Sequence, residues 1–85
     1  MNNDLFKALS DPTRREILML LQKQTLNAGE IAKHFTISKP SISHHLGILL
    51  NANLVISEKK GQYVYFTINS TVIQNLLIWL FKFKK

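Results

Sequence analysis

Two helical runs separated by only three residues constrain this chain more than any other feature. Asn27 with Glu30 three positions on is a capping-box pair, opening a short helix through about Phe35 whose apolar face is Ile31, Ala32 and Phe35. Thr36-Ile37-Ser38 then forms a turn, and Ser38 is the next N-cap. Pro40 has no N–H to offer, so the Ser38 hydroxyl would cap the N–H of Ser41. Ile37 before the cap and Ile42 after it are placed for a hydrophobic staple. This second helix runs to about Ala52. Two short helices, a tight turn and a sharply capped second member read as a helix-turn-helix. The plainer reading is an ordinary αα-hairpin inside a bundle.

The flanking segments decide between them. Upstream, Asp11-Pro12 starts a helix over Pro12–Lys23, with Ile17, Leu18 and Leu21 on one side. A shorter helix precedes it, with Leu5, Phe6 and Leu9 as its apolar stripe. Downstream, Leu54–Lys60 and Gln62–Ile68 read as two strands around Lys60-Gly61. In the second, Val64, Phe66 and Ile68 alternate with Tyr63, Tyr65 and Thr67, and Gly61 supplies the positive φ of a tight hairpin. Asn69 or Ser70 then caps a last helix to about Phe83. A hairpin directly after a helix-turn-helix makes a winged helix-turn-helix. The expected fold is mainly α with a β-hairpin wing: four helices, two strands and a fifth helix, in one domain over residues 1–85.

A chain of 85 residues buries only roughly 60–65% of the surface it exposes when unfolded, so a lone copy is marginal. With no cysteine, disulfides, thiolate metal sites and Cys nucleophiles are all excluded. No signal peptide and no apolar run of membrane-spanning length are visible, so an intracellular, cytoplasmic location is expected. The net charge of +6 lies wholly after residue 30, where Lys33, Lys39, Lys59, Lys60, Lys82, Lys84 and Lys85 face Glu58 alone. Such asymmetry suits a polyanion such as nucleic acid, although a solvated basic surface would look the same.

At 100° per residue, Ile42, Leu46, Leu49 and Leu50 form the core side of the helix after Ser38. Its other side carries Pro40, Ser41, His44, Gly47, Ile48 and Asn51, with Lys39, Ser43 and His45 on the flanks. Small polar side chains near a helix N-terminus suit a DNA major groove, and Lys39 would meet a phosphate there. Ser41 and Ser43 could equally serve only as N-terminal caps. The Gly47 position admits close approach of DNA or of another element. The wing tip with Lys59, Lys60 and Gln62 would lie along the backbone or in the minor groove, or form a plain solvated edge. Tyr63 and Tyr65 could stack single-stranded bases, but strand tyrosines more often pack. The DNA-binding candidates are thus Lys33, Lys39, Pro40, Ser41, Ser43, His44, Lys59, Lys60 and Gln62.

Neighbouring His44 and His45 point about 100° apart on a helix, so they cannot form the i, i+4 pair that chelates zinc. His34 stands alone, and neither a metal nor a cofactor is expected. The absence of a Gly-rich phosphate loop and of a visible carboxylate pair argues against an enzyme. In the last helix the apolar residues sweep about 200°, against the roughly 100° stripe that faces one core. A homodimer accounts for the surplus, through Val72, Ile73, Leu76, Leu77 and Leu80 with Leu5, Phe6 and Leu9 of the first helix. A surface-bound amphipathic helix, basic at its end, is the rival reading.

Three segments, AlaLeuSerAspProThrArgArgGluIleLeu (8–18), IleSerLysProSerIleSerHisHisLeuGlyIleLeu (37–49) and LysLysGlyGlnTyrValTyrPheThrIleAsn (59–69), resemble the ArsR/SmtB family of winged-helix repressors. The resemblance spans nearly the whole chain. It implies a homodimeric transcriptional repressor whose terminal helices form the interface and whose helix at 39–51 reads an inverted-repeat operator in double-stranded DNA. Metal sensors of that family use cysteines near the helix-turn-helix, or His and Asp on the last helix. Here those segments are Glu30-Ile31-Ala32-Lys33-His34 and Thr71–Phe83, which lack both ligand sets. Release by a protein or membrane-protein inducer is compatible with that departure. The alternative from another class is a winged-helix module that binds protein and has no affinity for DNA.

Overall fold

Side chains that compete with the backbone for hydrogen bonds set the helix starts, and each acts where the sequence places it. The computed structural model describes residues 3–85. After α1 (Asn3–Leu9), Asp11 accepts the Arg14 backbone N–H at 3.0 Å and opens α2 (Pro12–Lys23). Asn27 and Glu30 form the reciprocal capping box, at 2.8 and 2.9 Å, that begins α3 (Ala28–Ala32). Ser38 accepts the Ser41 N–H at 3.2 Å at the start of α4 (Lys39–Asn51). Of the two candidates for the last cap, Asn69 is the one used, ahead of α5 (Ser70–Phe81).

The helix ends are less legible. α3 stops at Ala32, short of the expected Phe35, because the His34 and Phe35 N–H groups bond Ile31 and Ala32, three residues back. The chain leaves the α-helix through a tighter 3₁₀-type turn. α5 ends the same way at Phe81, short of the expected Phe83, with Lys82, Phe83 and Lys84 each bonding three residues back. α4 closes differently. Asn53 takes φ +59°, its N–H bonds the Leu50 carbonyl, and the Leu54 N–H bonds the Leu49 carbonyl. That pair of bonds is a Schellman motif, completed by full burial of Leu49 and Leu54.

The wing is β2 (Val55–Lys60) and β3 (Tyr63–Ile68), joined through Gly61-Gln62. Gly61 has φ +62° and Gln62 does not share a positive φ, as in a type II′ hairpin loop. The sequence reading has two strands; the sheet has three. β1 (Leu26–Asn27) pairs antiparallel with β3, Leu26 opposite Phe66 and Asn27 opposite Tyr65, giving the order β1-β3-β2. A strand of two residues has no periodicity to detect. Its effect is structural: it ties the start of the helix-turn-helix to the base of the wing.

The core collects Leu5 and Ala8 of α1, Ile17 and Leu21 of α2, Ile31 of α3, and Ile42, Leu46 and Leu49 of α4. Leu54, Val55 and Phe66 close it from the wing side. Leu5 requires a correction. Expected at the surface between subunits, it is 4% exposed and belongs to the protomer's own core, because Leu5 and Ala8 sit one turn apart on the inner face of α1. Val72, Ile73 and Leu76 are likewise half-buried against the core, while Leu77, Ile78, Leu80 and Phe81 face outward.

Two stability measurements test these caps. Asn53→Ala removes the short polar side chain that eases asparagine into the left-handed region and should lower unfolding free energy by about 1 kcal/mol, whereas Asn53→Gly should be neutral or slightly stabilising. Urea denaturation at fixed protein concentration reads both. Asp11 has its carboxyl held below the usual range, chiefly by the Arg14 backbone N–H it accepts and then by the nearby positive charge of Arg14. Folding therefore favours the charged form. Its contribution is complete above the ordinary carboxylate value of about 4 and is lost as pH falls through the lower folded-state value. Asp11→Ala should cost about 1 kcal/mol at pH 7, and the gap from the parent should narrow as the solution is acidified.

Candidate nucleic-acid interface

Because Ile42, Leu46 and Leu49 turn inward, α4 presents its opposite side and its N-terminal turn to solvent. Lys39, Pro40, Ser43 and His44 are exposed there and Ser41 is half-buried. The Ser38 hydroxyl accepts the Ser41 N–H and also donates to the Ser41 Oγ at 3.0 Å, leaving the Ser41 proton free to point elsewhere. Ser41 thus takes part in the cap, whereas the Ser43 hydroxyl forms no hydrogen bond among the described residues. A Cβ built at Gly47 would meet nothing within 4 Å. No element of this chain requires the glycine, so its flat spot on the outer side of α4 is open to an external molecule.

Lys33, Lys39 and Gln62, distant in sequence, meet around one groove. Asn27, Gly29, Glu30, Ala32, Lys33, Lys39 and Tyr63 line a cleft of about 460 Å³ between the helix-turn-helix and the wing. An adjoining hollow of about 270 Å³ adds Gln62 and Val64. Lys33 and Lys39 outnumber Glu30 on this lining, so the charge facing the cleft is net positive. Tyr63, 58% exposed, stands at this cleft but is absent from the DNA-binding candidates. Its position as the first paired residue after the Gly61-Gln62 loop is the signal that could have found it. Tyr63 and Tyr65 meet edge to face, with ring centroids 6.5 Å apart, instead of forming a parallel platform for bases.

The two wing lysines separate. Lys59 pairs with Val64 and Lys60 with Tyr63, and successive strand residues point to opposite faces. Lys59 shares a face with Val64 and Phe66, Lys60 with Glu58 and the two tyrosines. Ser43, His44 and the wing lysines lie outside the cleft lining.

Of the adjacent histidines, His44 is exposed and His45 is turned inward, with Nδ1 3.1 Å from Arg14 Nη1 and 3.8 Å from Asp11 Oδ2. Arg14 is 8% exposed and also donates to the Lys7 and Ala8 carbonyls. Sequence reasoning missed it, since nothing in Thr13-Arg14-Arg15 marks one arginine as interior. Among the described residues no three His, Cys, Asp or Glu side chains gather to hold a metal. No helix among them is long and apolar enough to cross a membrane.

Comparison with known proteins agrees with this geometry. Residues 11–57, more than half of the chain, match the model of the bacterial regulatory protein, arsR family. The chain is 53% identical over 81 residues to the transcriptional repressor SdpR of Bacillus subtilis (strain 168), covering 95% of this chain and 90% of that protein. It is 34% identical over 73 residues to the arsenical resistance operon repressor of Staphylococcus aureus, covering 86% and 70%. The crystal structure of an ArsR family transcriptional regulator superposes with a TM-score of 0.87 at 30% identity, covering 94% of this chain and 88% of that one. HlyU from Vibrio cholerae gives 0.77 at 30% identity, covering 95% and 88%. A helix-turn-helix with an open N-terminal face, a wing folded beside it and these relatives lead to one conclusion: the chain belongs to the ArsR family of bacterial regulatory proteins.

Proposed function

We propose that this protein is a transcriptional repressor that binds an inverted-repeat operator in double-stranded DNA as a homodimer. The observation that carries the reading is the division of labour on α4. Its apolar side is spent on the core, and its N-terminal side stays open beside a lysine-bearing cleft and a basic wing. Lys39, Pro40, Ser41, Ser43 and His44 enter the major groove. Lys33, Lys59, Lys60 and Gln62, joined by Tyr63, hold the backbone and the neighbouring groove. Phosphate contacts set register and affinity, and base-edge contacts from α4 carry sequence preference. The similarity to SdpR and to the arsenical resistance repressor supports repression as the outcome.

Dimerisation is supported by the outer side of α5. Leu77, Ile78, Leu80 and Phe81 are half or more exposed, and Trp79 joins Phe6 of α1 at 5.5 Å and Phe83 at 5.1 Å between ring centroids. Exposed apolar side chains gathered on one helix side favour an interface between copies. In this reading Phe6, Leu77 and Leu80 form its centre, with Leu9, Val72, Ile73 and Leu76 contributing what the core leaves uncovered. Two copies would carry two reading helices to half-sites about one helical turn, roughly 34 Å, apart.

Duplexes enriched from genomic fragments, titrated by fluorescence anisotropy, test the docking. With ~6–8 phosphate contacts per dimer, log affinity should fall against log salt with a slope of roughly −5 to −7. Replacing Lys59 and Lys60 together by Ala should make the slope shallower and leave sequence preference intact. Ser41→Ala or His44→Ala should flatten the preference instead. A protein-binding module would show no salt-dependent duplex affinity. For assembly, sedimentation equilibrium should find a dimer for the parent and a monomer for Leu77→Asp/Leu80→Asp, with duplex affinity falling in step.

A further inference from the structure

The geometry points to Arg14 and His45 as positioning residues for operator recognition: the Arg14–His45 hydrogen bond sets the orientation of α4 about its own axis. The inference rests on the reading of α4 as the DNA-reading helix. Arg14 reaches from α2 into a nearly closed space, where Nε donates to the Ala8 carbonyl at 2.8 Å and Nη2 to the Lys7 carbonyl at 3.1 Å. These carbonyls belong to the last turn of α1, which lacks intrahelical donors and sits at the negative end of the helix dipole. They are the reason a guanidinium tolerates this burial. Arg15 bonds the Leu9 carbonyl at 2.8 Å, so two consecutive side chains of α2 grip the end of α1.

The remaining Arg14 bond goes to α4. Nη1 lies 3.1 Å from His45 Nδ1. A guanidinium has donors only and stays protonated, so Nδ1 has to present its lone pair. In this bond a neutral His45 carries its proton on Nε2. Asp11 Oδ2, at 3.8 Å from Nδ1, lies too far for a hydrogen bond and offsets the Arg14 charge. Three helices converge on one side chain.

Burial of Ile42, Leu46 and Leu49 fixes which side of α4 faces the core, but the attraction itself is non-directional and resists a small rotation about the helix axis only through packing. A hydrogen bond is directional. His45 follows His44 directly and lies one turn beyond Ser41, so restraining it restrains the candidates that face the groove. At a side-chain radius of ~6 Å, a rotation of ~10° moves a helix side chain by about 1 Å, enough to misalign base contacts.

Three measurements test the tie. Imidazole ¹H–¹⁵N spectra of the parent protein near pH 8 should show His45 as the Nε2–H tautomer; an Nδ1–H tautomer overturns the inference. His45→Leu keeps bulk and removes the acceptor, whereas His45→Asn places an amide oxygen near the Nδ1 position. His45→Leu should lose roughly tenfold in operator affinity with unchanged salt slope and unchanged affinity for non-operator duplex. His45→Asn should recover most of that loss. Equal binding by His45→Leu and the parent, failure of His45→Asn to recover, or a parallel loss on non-operator duplex overturns it. If His45→Leu does not fold, the parent tautomer and the operator-to-non-operator ratio of His45→Asn decide alone. A parent protein with no duplex preference would defeat the repressor reading, while the tautomer still tests the tie itself.

Discussion

Burial of the inner side of α4 is the constraint on which the rest of the molecule depends. Helices α1, α2 and α3 and strand β2 all pack against α4, and Ile42, Leu46 and Leu49 join their buried residues in one core. In a chain of this size there is apolar material for one core only. Using α4 at its centre makes it the best-supported element. Its exposed side can then carry serines, histidine and glycine, residues that contribute little to helix stability, because the inner side supplies the stabilisation.

Polar interactions add direction to that packing. The Ser38 cap and the Asn53 Schellman turn set where α4 begins and ends, and the Arg14–His45 bond restrains how it is turned. The capping box at Asn27 and the two-residue strand after Thr25 connect α2 to the wing through the start of α3. The wing and α4 therefore border a common cleft, with Lys33 and Lys39 on one wall and Tyr63 on the other. The positive charge is divided too: Lys82, Lys84 and Lys85 follow α5, away in sequence from the lysines of the helix-turn-helix and wing.

Much of this was legible because it is local. Asp11, Asn27, Ser38 and Asn69 act within three residues of themselves, so their caps can be read from spacing alone. Gly61 announces the hairpin by the same logic. Features that depend on distant partners were hidden. β1 exists only because Phe66 and Tyr65 lie beside it. Arg14 looks like any surface arginine until α1 and α4 close around it. The helix ends were overextended at α3 and α5, since a 3₁₀-type turn continues the apolar pattern without continuing the α-helix.

The amino-acid sequence by itself determined the order of elements, the positions of the helix starts, the inner side of α4 and the concentration of positive charge after residue 30. Each follows from propensity, periodicity or composition, which act over a few residues. Only the tertiary structure decided that Leu5 belongs to the core, and that Leu77 and Leu80 face outward while Val72, Ile73 and Leu76 face in. Those outcomes depend on which neighbour each surface meets. An apolar arc of about 200° is the same arc whether its left or its right half is covered, and only packing selects the half.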